Sequence, residues 1–427
     1  MPQTSQISTP AYRNPALTVE ERVADLLARM TLEEKVGQLM LWDARPEDIS
    51  FINTRQPGSI LHILGAKIDR AIDLAAQNRL AIPLLVGEDG IHGHSFWKGA
   101  TIFPTQLALA ASWNPELLEE VGRVTAEEMT ATGIQWTFSP VLCLSRDLRW
   151  GRTGETFGED PYLIGELGAA LIRGYQGRGL DDPTAVLASA KHFAGYSETQ
   201  GGRDSSEADL SRRKLRSYFL PPFQRAARAG AMTFMTGYQS IEGVPSTANR
   251  WLLVEVLKDE WGFQGVVVTD WDNVGRLIKE QRVCATYAEA ASVALRAGND
   301  ILMTTPEAYE GAIEAVRSGH LSESEIDAPC ARLLARKFRM GLFENPRRPD
   351  LERAAVEVAR PEHRAANLAA ARQSLVLLQN NGLLPLDPAQ VRSMAVVGPN
   401  ADDDQSQLGD WVLGSSQHPP EAGKQPR

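Results

Sequence analysis

Eight short apolar or β-branched runs punctuate the chain between residues 36 and 304: VGQLMLW, GSILHIL, IPLLVGE, IQWTFSPV, AVLASAKHF, AMTFMTGY, GVVVTDW and NDILMT. Several are apolar almost without a break, as strands buried on both faces are. Between most of them the apolar spacing becomes helical. IDRAIDLAAQNRL follows the second run. PELLEEVGRVTAEEMTAT opens on Pro115 behind Asn114, a capping residue followed by a first-turn proline. DPYLIGELGAALIRGYQ, RRKLRSYFLPPFQRAARAG, NRWLLVEVLKDEWG and YAEAASVALRAG come next, and several close on glycine, the usual helix stop. Eight strand–helix alternations predict a parallel (β/α)8 TIM-like barrel over residues 1–345. An open doubly wound sheet alternates in the same way. No G-x-G-x-x-G follows the first run, so its dinucleotide-binding form loses support.

After Leu342 the texture changes. FENPRRPDLERAAVEVARPEH is charged and carries proline, and residues 346–366 read as a linker. ANLAAARQSLVLLQNNGLLPL then predicts a helix, and RSMAVVGPNADDD a strand. These are expected to be the truncated start of a second α/β domain over residues 367–427, since one helix and one strand cannot bury a core. The polar SSQHPPEAGKQPR reads as a disordered tail.

Composition narrows the classes. Hydrophobic residues are 43% and charged residues 23%, as in soluble globular proteins. A formal net charge of -10 argues against a nucleic-acid partner, which needs clustered Lys and Arg, and favours a neutral or cationic ligand over a polyanion. Cys143, Cys284 and Cys330 are scattered, without zinc spacing, and read as buried thiols. No signal-peptide core and no run of eighteen apolar residues is visible, which predicts no membrane span and a cytoplasmic home. Homo-oligomerisation is compatible with the sequence and left open.

In a barrel the functional groups gather at the carboxyl ends of the strands. The third run ends in Glu88 and Asp89, the fifth in Lys191 and His192, the sixth near Tyr238, and the seventh in Asp270 and Trp271. The loop RDLRWGRTGETFGEDP follows the fourth run. Carboxylates, cations and aromatics on one face suit a sugar: hydroxyls take charged partners, and a pyranose ring takes an aromatic platform. Asp270 emerges from GVVVT, where a carboxylate can be held rigidly for in-line attack. It could equally cap the next helix or pair with an arginine. Lys191 reads as a Schiff-base lysine or a salt-bridge partner, and His192 as a ligand contact or a satisfied core histidine. Trp150, Phe157 and Tyr162 are expected to anchor the charged loop around them.

These stretches resemble the family 3 glycoside hydrolases from about residue 20 to 415. The matching pieces are EDGIHG at 88–93, FPTQLALAASW at 103–113, RDLRWGRTGETFGEDPYL at 146–163, KHFAGY at 191–196, GYQSIEGVPSTAN at 237–249 and GFQGVVVTDW at 262–271. LVLLQNNGLLPL and AVVGPNAD look like the opening of that family's second, α/β sandwich domain. The resemblance implies a retaining, exo-acting β-glycosidase, most simply a β-glucosidase with β-xylosidase as the near alternative. It implies no cofactor or metal, and a β-linked oligosaccharide or aryl glycoside as substrate. Asp270 would be the nucleophile and Trp271 part of the sugar wall. Asp89, Arg152, Lys191 and His192 would bind hydroxyls, with Arg203 and Tyr238 lining the same subsite. The general acid/base of most members is a glutamate of the second domain, further along than this chain runs. A single-domain branch uses a histidine after KHF, which KHFAGYSETQGGRDSS lacks. Glu155, Glu159, Glu198 and Glu242 are the in-chain carboxylates that could substitute. Outside this family, a Schiff-base lyase using Lys191 and a noncatalytic sugar-binding barrel remain as readings.

Overall fold

A computed structural model of the chain describes residues 10–415. The polar start and all but Ser415 of the expected tail lie outside the described residues. Each of the eight runs contains a strand: β1 Met40–Asp43, β2 Ser59–Leu61, β3 Leu85–Glu88, β4 Trp136–Thr137, β5 Leu187–Phe193, β6 Thr233–Thr236, β7 Val266–Val268 and β8 Leu302–Met303. The hydrogen-bonded order is β8-β1-β2-β3-β4-β5-β6-β7, parallel throughout. A parallel bridge between Val268 and Ile301 closes the ring. The chain is a (β/α)8 TIM-like barrel.

Sequence explains most boundaries. The first run was expected to be extended from Val36, but VGQ belongs to the helix Leu32–Gln38. Thr31 and Glu34 form a capping box that starts this helix, and its pull is local and strong. Asn114 and Asp160 cap the helices Pro115–Ala131 and Pro161–Gln176. The segment expected as one helix over RRKLRSYFLPPFQRAARAG is broken. A wide turn at Leu215–Phe219 precedes a fresh helix at Pro221–Arg228, because Pro221 and Pro222 cannot donate backbone hydrogen bonds.

Inward-facing side chains fill the barrel: Leu41, Leu61, Leu85, Trp136, Phe138, Leu187, Met235, Val268 and Met303 are all buried in one cluster. Trp136 is fully buried among them, and its indole N–H reaches Ser189 Oγ on β5 at 2.9 Å and Thr233 Oγ1 on β6 at 3.0 Å. Before β8, the buried carboxylate of Asp300 accepts from Val267 N at 2.7 Å and from Lys258 and Arg332. It is a structural anchor, far along the strands from their carboxyl ends.

The region after the barrel departs from the sequence expectation. The stretch expected as a linker holds the helix Leu351–Glu357, and a second helix, Pro361–Gln373, runs across the expected boundary. Both pack on the barrel helix Pro115–Ala131. His363 is buried between Glu127 at 3.2 Å and Glu128 at 2.8 Å. Burial alone would lower its pKa, but the two carboxylates raise it to about 9. The strand expected in RSMAVVG does not form, and residues 391–397 are exposed. A strand needs a neighbour to satisfy its backbone, and none lies beside it among the described residues. The chain then returns to the barrel at Asp410–Leu413.

Lys337, on the helix Glu323–Arg339, is fully buried. Its ammonium donates to Gln38 Oε1 at 2.7 Å, and no carboxylate pairs with it among the described residues. Burial pushes it down to about 7. The folded chain therefore binds fewer protons than the unfolded chain between pH 7 and about 10, the ordinary lysine range. Stability from this group rises with pH through that window and is lowest below it. Lys337→Met is expected to be more stable than the wild type at pH 6, and the gap to shrink by up to about 1.4 kcal/mol per pH unit above 7. Urea denaturation of both proteins from pH 6 to 9 checks this; a gap that does not change with pH rejects it.

Candidate active site

The strand ends converge on a cavity of about 260 Å³, small enough for one sugar ring and little else. Its lining includes Arg45, His62, Asp89, Arg152, Lys191, His192, Tyr238, Asp270, Trp271 and Trp411. Seven of the eight side chains singled out from sequence therefore meet in one place; Arg203 does not.

Asp270 lies two residues beyond β7, 8% exposed. Its two oxygens differ. Oδ1 accepts from Tyr238 Oη at 2.8 Å and from Trp271 N at 2.7 Å. Oδ2 is buried and has no hydrogen-bond partner. Burial raises the carboxyl pKa above its ordinary value, while Arg152, Lys191 and the two donors oppose that rise. One oxygen is fixed and the other is left available.

His192 Nε2 stands 3.4 Å from Asp270 Oδ2 and 3.2 Å from an Arg152 nitrogen. Burial, then Arg152 and Lys191, hold its imidazole well below its ordinary pKa, so it is neutral. Its Nδ1 lies 3.6 Å from Cys143 Sγ. Cys143, Cys284 and Cys330 are all buried and unpaired with one another. Arg152 forms a two-pronged pair with Glu155, both bonds 2.8 Å. Burial would weaken its charge, but Glu155 more than offsets it and the guanidinium stays charged. Lys191 Nζ donates to Asp89 Oδ1 at 2.9 Å. Neighbours on a regular strand would point to opposite sides. Here the β5–β6 register slips between Ala190 and Phe193, and both Lys191 and His192 reach the cavity.

Arg203 is exposed and outside the cavity. Gly202 has φ 67°, and an added Cβ would lie 2.8 Å from the Arg149–Trp150 backbone. That close packing, with Asp204 accepting from Trp150 Nε1 at 3.0 Å, turns Arg203 outward. In the charged loop Trp150 and Phe157 are buried as anchors, but Tyr162 is 63% exposed, under the Arg225 guanidinium. Among the four glutamates considered, Glu155 is taken by Arg152. Glu198 is held by Arg146 and Lys214 beside a separate cavity, and Glu159 and Glu242 are exposed. None of them lines the sugar-sized cavity.

Sequence reading missed three lining residues. His62 follows β2 directly, so a reading of that strand's end would have found it. Arg45 lies 5.2 Å over the Trp271 ring. Trp411 comes from the returning segment, fastened by Ser95 Oγ to Trp411 O at 2.5 Å and His92 Nε2 to Asp410 O at 2.7 Å. Nothing local in the sequence marks it. A second cavity of about 620 Å³ shares Trp271 and is walled by Trp42, Phe51 and Pro306. Two groups of side chains have metal-ligand types close together: His62, Glu88 and Asp89, and Glu127, Glu357 and His363. In each a cation is already supplied, by Lys191 to Asp89 and by Arg360 to Glu127 and Glu357.

Residues 31–335 match the glycosyl hydrolase family 3 N-terminal domain. The chain belongs to glycosyl hydrolase family 3. Among its relatives in this family, the periplasmic β-glucosidase of Salmonella typhimurium is 35% identical over 94% of this chain and 53% of its own length. A β-xylosidase of Formosa agariphila is 34% identical over 92% of this chain and 52% of its own. A solved β-glucosidase involved in saponin metabolism in intestinal bacteria is 56% identical, with a TM-score of 0.90 over 95% of this chain and 54% of that one. The chain thus spans about half the length of the family 3 relatives it matches. No helix among the described residues is long and apolar enough to cross a membrane.

Proposed function

We propose that this barrel is the nucleophile-bearing part of a retaining, exo-acting β-glycosidase that releases glucose from a nonreducing end. The observation that carries the reading is the asymmetric Asp270 carboxylate, one oxygen fixed by two donors and the other free in a cavity the size of one sugar. Oδ2 would attack the anomeric carbon as the bond to the leaving oxygen breaks, forming a glycosyl ester. The leaving oxygen takes a proton. Water then attacks the same carbon, freeing Asp270 and a sugar of retained β configuration. Asp89, Lys191, Arg152 and His192 are proposed to bind hydroxyls, Tyr238 to steady Asp270, and Trp271 to form the ring wall.

Glucose is preferred to xylose because the relative at 56% identity is a β-glucosidase. The lyase reading is weaker: Lys191 donates to Asp89, as a hydroxyl-binding pair would. Borohydride with a carbonyl substrate would trap Lys191 only in the lyase, and a burst of chromophore separates a catalyst from a mere sugar binder. We propose that the barrel unit ends near residue 345 and that the largely exposed residues 375–409 belong to a further unit. The cytoplasmic expectation gains no support from a relative named periplasmic.

The test is a 2-deoxy-2-fluoroglucoside with a good leaving group. It should label the protein at Asp270 by peptide mapping; a label on another carboxylate sinks the assignment. A second measurement addresses the hydroxyl contacts. Charge-assisted hydrogen bonds are worth roughly 1.5–3 kcal/mol. Asp89→Ala and Lys191→Ala should each lower kcat/KM at least about tenfold with the fold intact. Wild-type kinetics in both would return the pair to a structural role.

A further inference from the structure

The cavity has one polar wall that the proposed mechanism does not use. His62 stands just past β2 with φ 61°, a left-handed conformation uncommon in non-glycine residues, although histidine, like asparagine and aspartate, adopts it more often than most. Such conformations persist where the surroundings hold them, and they gather at ligand sites. Two contacts do the holding. Its Nδ1 lies 2.6 Å from Glu88 Oε1. Its ring lies 5.8 Å from the Trp271 ring, tilted by 30°. Glu88 is itself fully buried, and its Oε1 also accepts from Asp89 N at 2.9 Å. One carboxylate therefore sets both His62 and the hydroxyl-binding Asp89.

The Glu88 bond fixes the imidazole orientation. With Nδ1 donating to Glu88, the other ring nitrogen, Nε2, makes no hydrogen bond to any described residue, while the ring lines the cavity. Glu88 Oε2 is buried without a hydrogen-bond partner. A buried carboxylate so placed is costly unless a cation faces it. Burial opposes charge on His62, but Glu88 and then Asp89 outweigh it and Arg45 opposes only weakly, so the pKa is raised. The cavity the ring lines also holds Lys191, paired with Asp89, together with Arg152 and Asp270.

We propose that His62, set by Glu88, is a specificity-determining residue that donates a hydrogen bond from Nε2 to one hydroxyl of the nonreducing-end sugar. This rests on the glycosidase reading above. His62 and Asp89 hang from one carboxylate, so they grip neighbouring parts of the ring, away from the anomeric carbon that faces Asp270. A sugar lacking the hydroxyl that His62 contacts leaves an oriented, partly buried donor without a partner, which is how a site rejects near-identical sugars. The pair also makes binding fall as pH rises through the His62 pKa, because the neutral ring keeps its one proton on Nδ1 toward Glu88 and Nε2 can then only accept.

The experiment uses the full chain with 2,4-dinitrophenyl β-glucoside and its 3-, 4- and 6-deoxy analogues. In the wild type, one analogue should fall at least about tenfold in kcat/KM below the others. His62→Ala should lose that factor on the glucoside while barely changing the rate on that one analogue. His62→Asn tolerates the left-handed backbone and serves if the alanine variant fails to fold. Glu88→Gln should weaken the discrimination and flatten the rise of KM with pH. Equal losses on all four substrates in His62→Asn would make the residue merely structural and overturn the proposal, as would unchanged kinetics. The fluoroglucoside label is the separate control. A label on Asp270 with equal losses removes His62 alone; no label and no turnover of any glucoside removes the glycosidase reading and His62 with it.

Discussion

Asp270→Ala is expected to abolish turnover of 2,4-dinitrophenyl β-glucoside, by roughly 10⁴-fold or more, as removal of an enzymatic nucleophile commonly does. The loss is large because nothing replaces the missing oxygen. Of the carboxylates lining the cavity, only Asp89 and Asp270 are present among the described residues, and Asp89 is bound to Lys191. Tyr238 and the Trp271 amide hold Asp270 in place, and burial, then Asp270, keep the Tyr238 hydroxyl protonated and so a poor nucleophile. The variant should still fold, because Asp270 faces the cavity past the end of β7 and its loss removes only the hydrogen bonds from Tyr238 and the Trp271 amide. Added azide or formate, small enough to enter that cavity, should restore part of the rate and give a product of inverted configuration. A variant that keeps more than a tenth of the wild-type rate would place the nucleophile elsewhere.

Leaving-group dependence should be nearly as large. No glutamate considered as an in-chain acid reaches the cavity, and a general acid is typically worth about 10²–10⁴-fold. The 427-residue chain alone should therefore hydrolyse dinitrophenyl glucoside, whose leaving group needs no proton, at least about 10²-fold faster than cellobiose. Azide should speed breakdown of the glycosyl ester, since it attacks without a base. Comparable rates on the two substrates would mean that an acid lies within the chain. Glu198 and Glu155 would then be the first residues to replace, with the loops carrying them free to move on binding.

Much of the site was legible because strand ends in a barrel are also its functional face. GVVVT followed by Asp270, and the Lys191–His192 pair after a buried run, could be assigned by counting strands. Arg152 lay in a loop whose anchors, Trp150 and Phe157, were equally visible. Arg203 was misplaced because its direction depends on how Gly202 packs against the Trp150 backbone, a contact between segments some fifty residues apart. His62 directly follows a strand that periodicity reveals, but its turn into the cavity depends on Glu88, which belongs to the next strand. Trp411 had no local signal: its place is decided by hydrogen bonds to His92 and Ser95, more than 300 residues earlier.

The sequence by itself determined the eight-stranded barrel, its helix caps and the position of Asp270, since these follow from periodicity, capping residues and strand counting, which are local. Tertiary structure alone decided three things. It made the two Asp270 oxygens unequal, by bringing the Tyr238 hydroxyl to one and leaving the other without a hydrogen bond, 3.4 Å from His192 Nε2. It laid the helix Pro361–Gln373 on the barrel, with His363 between two glutamates of another helix. And it left RSMAVVG without strand structure, because extended backbone needs a partner and apolar, β-branched composition cannot supply one.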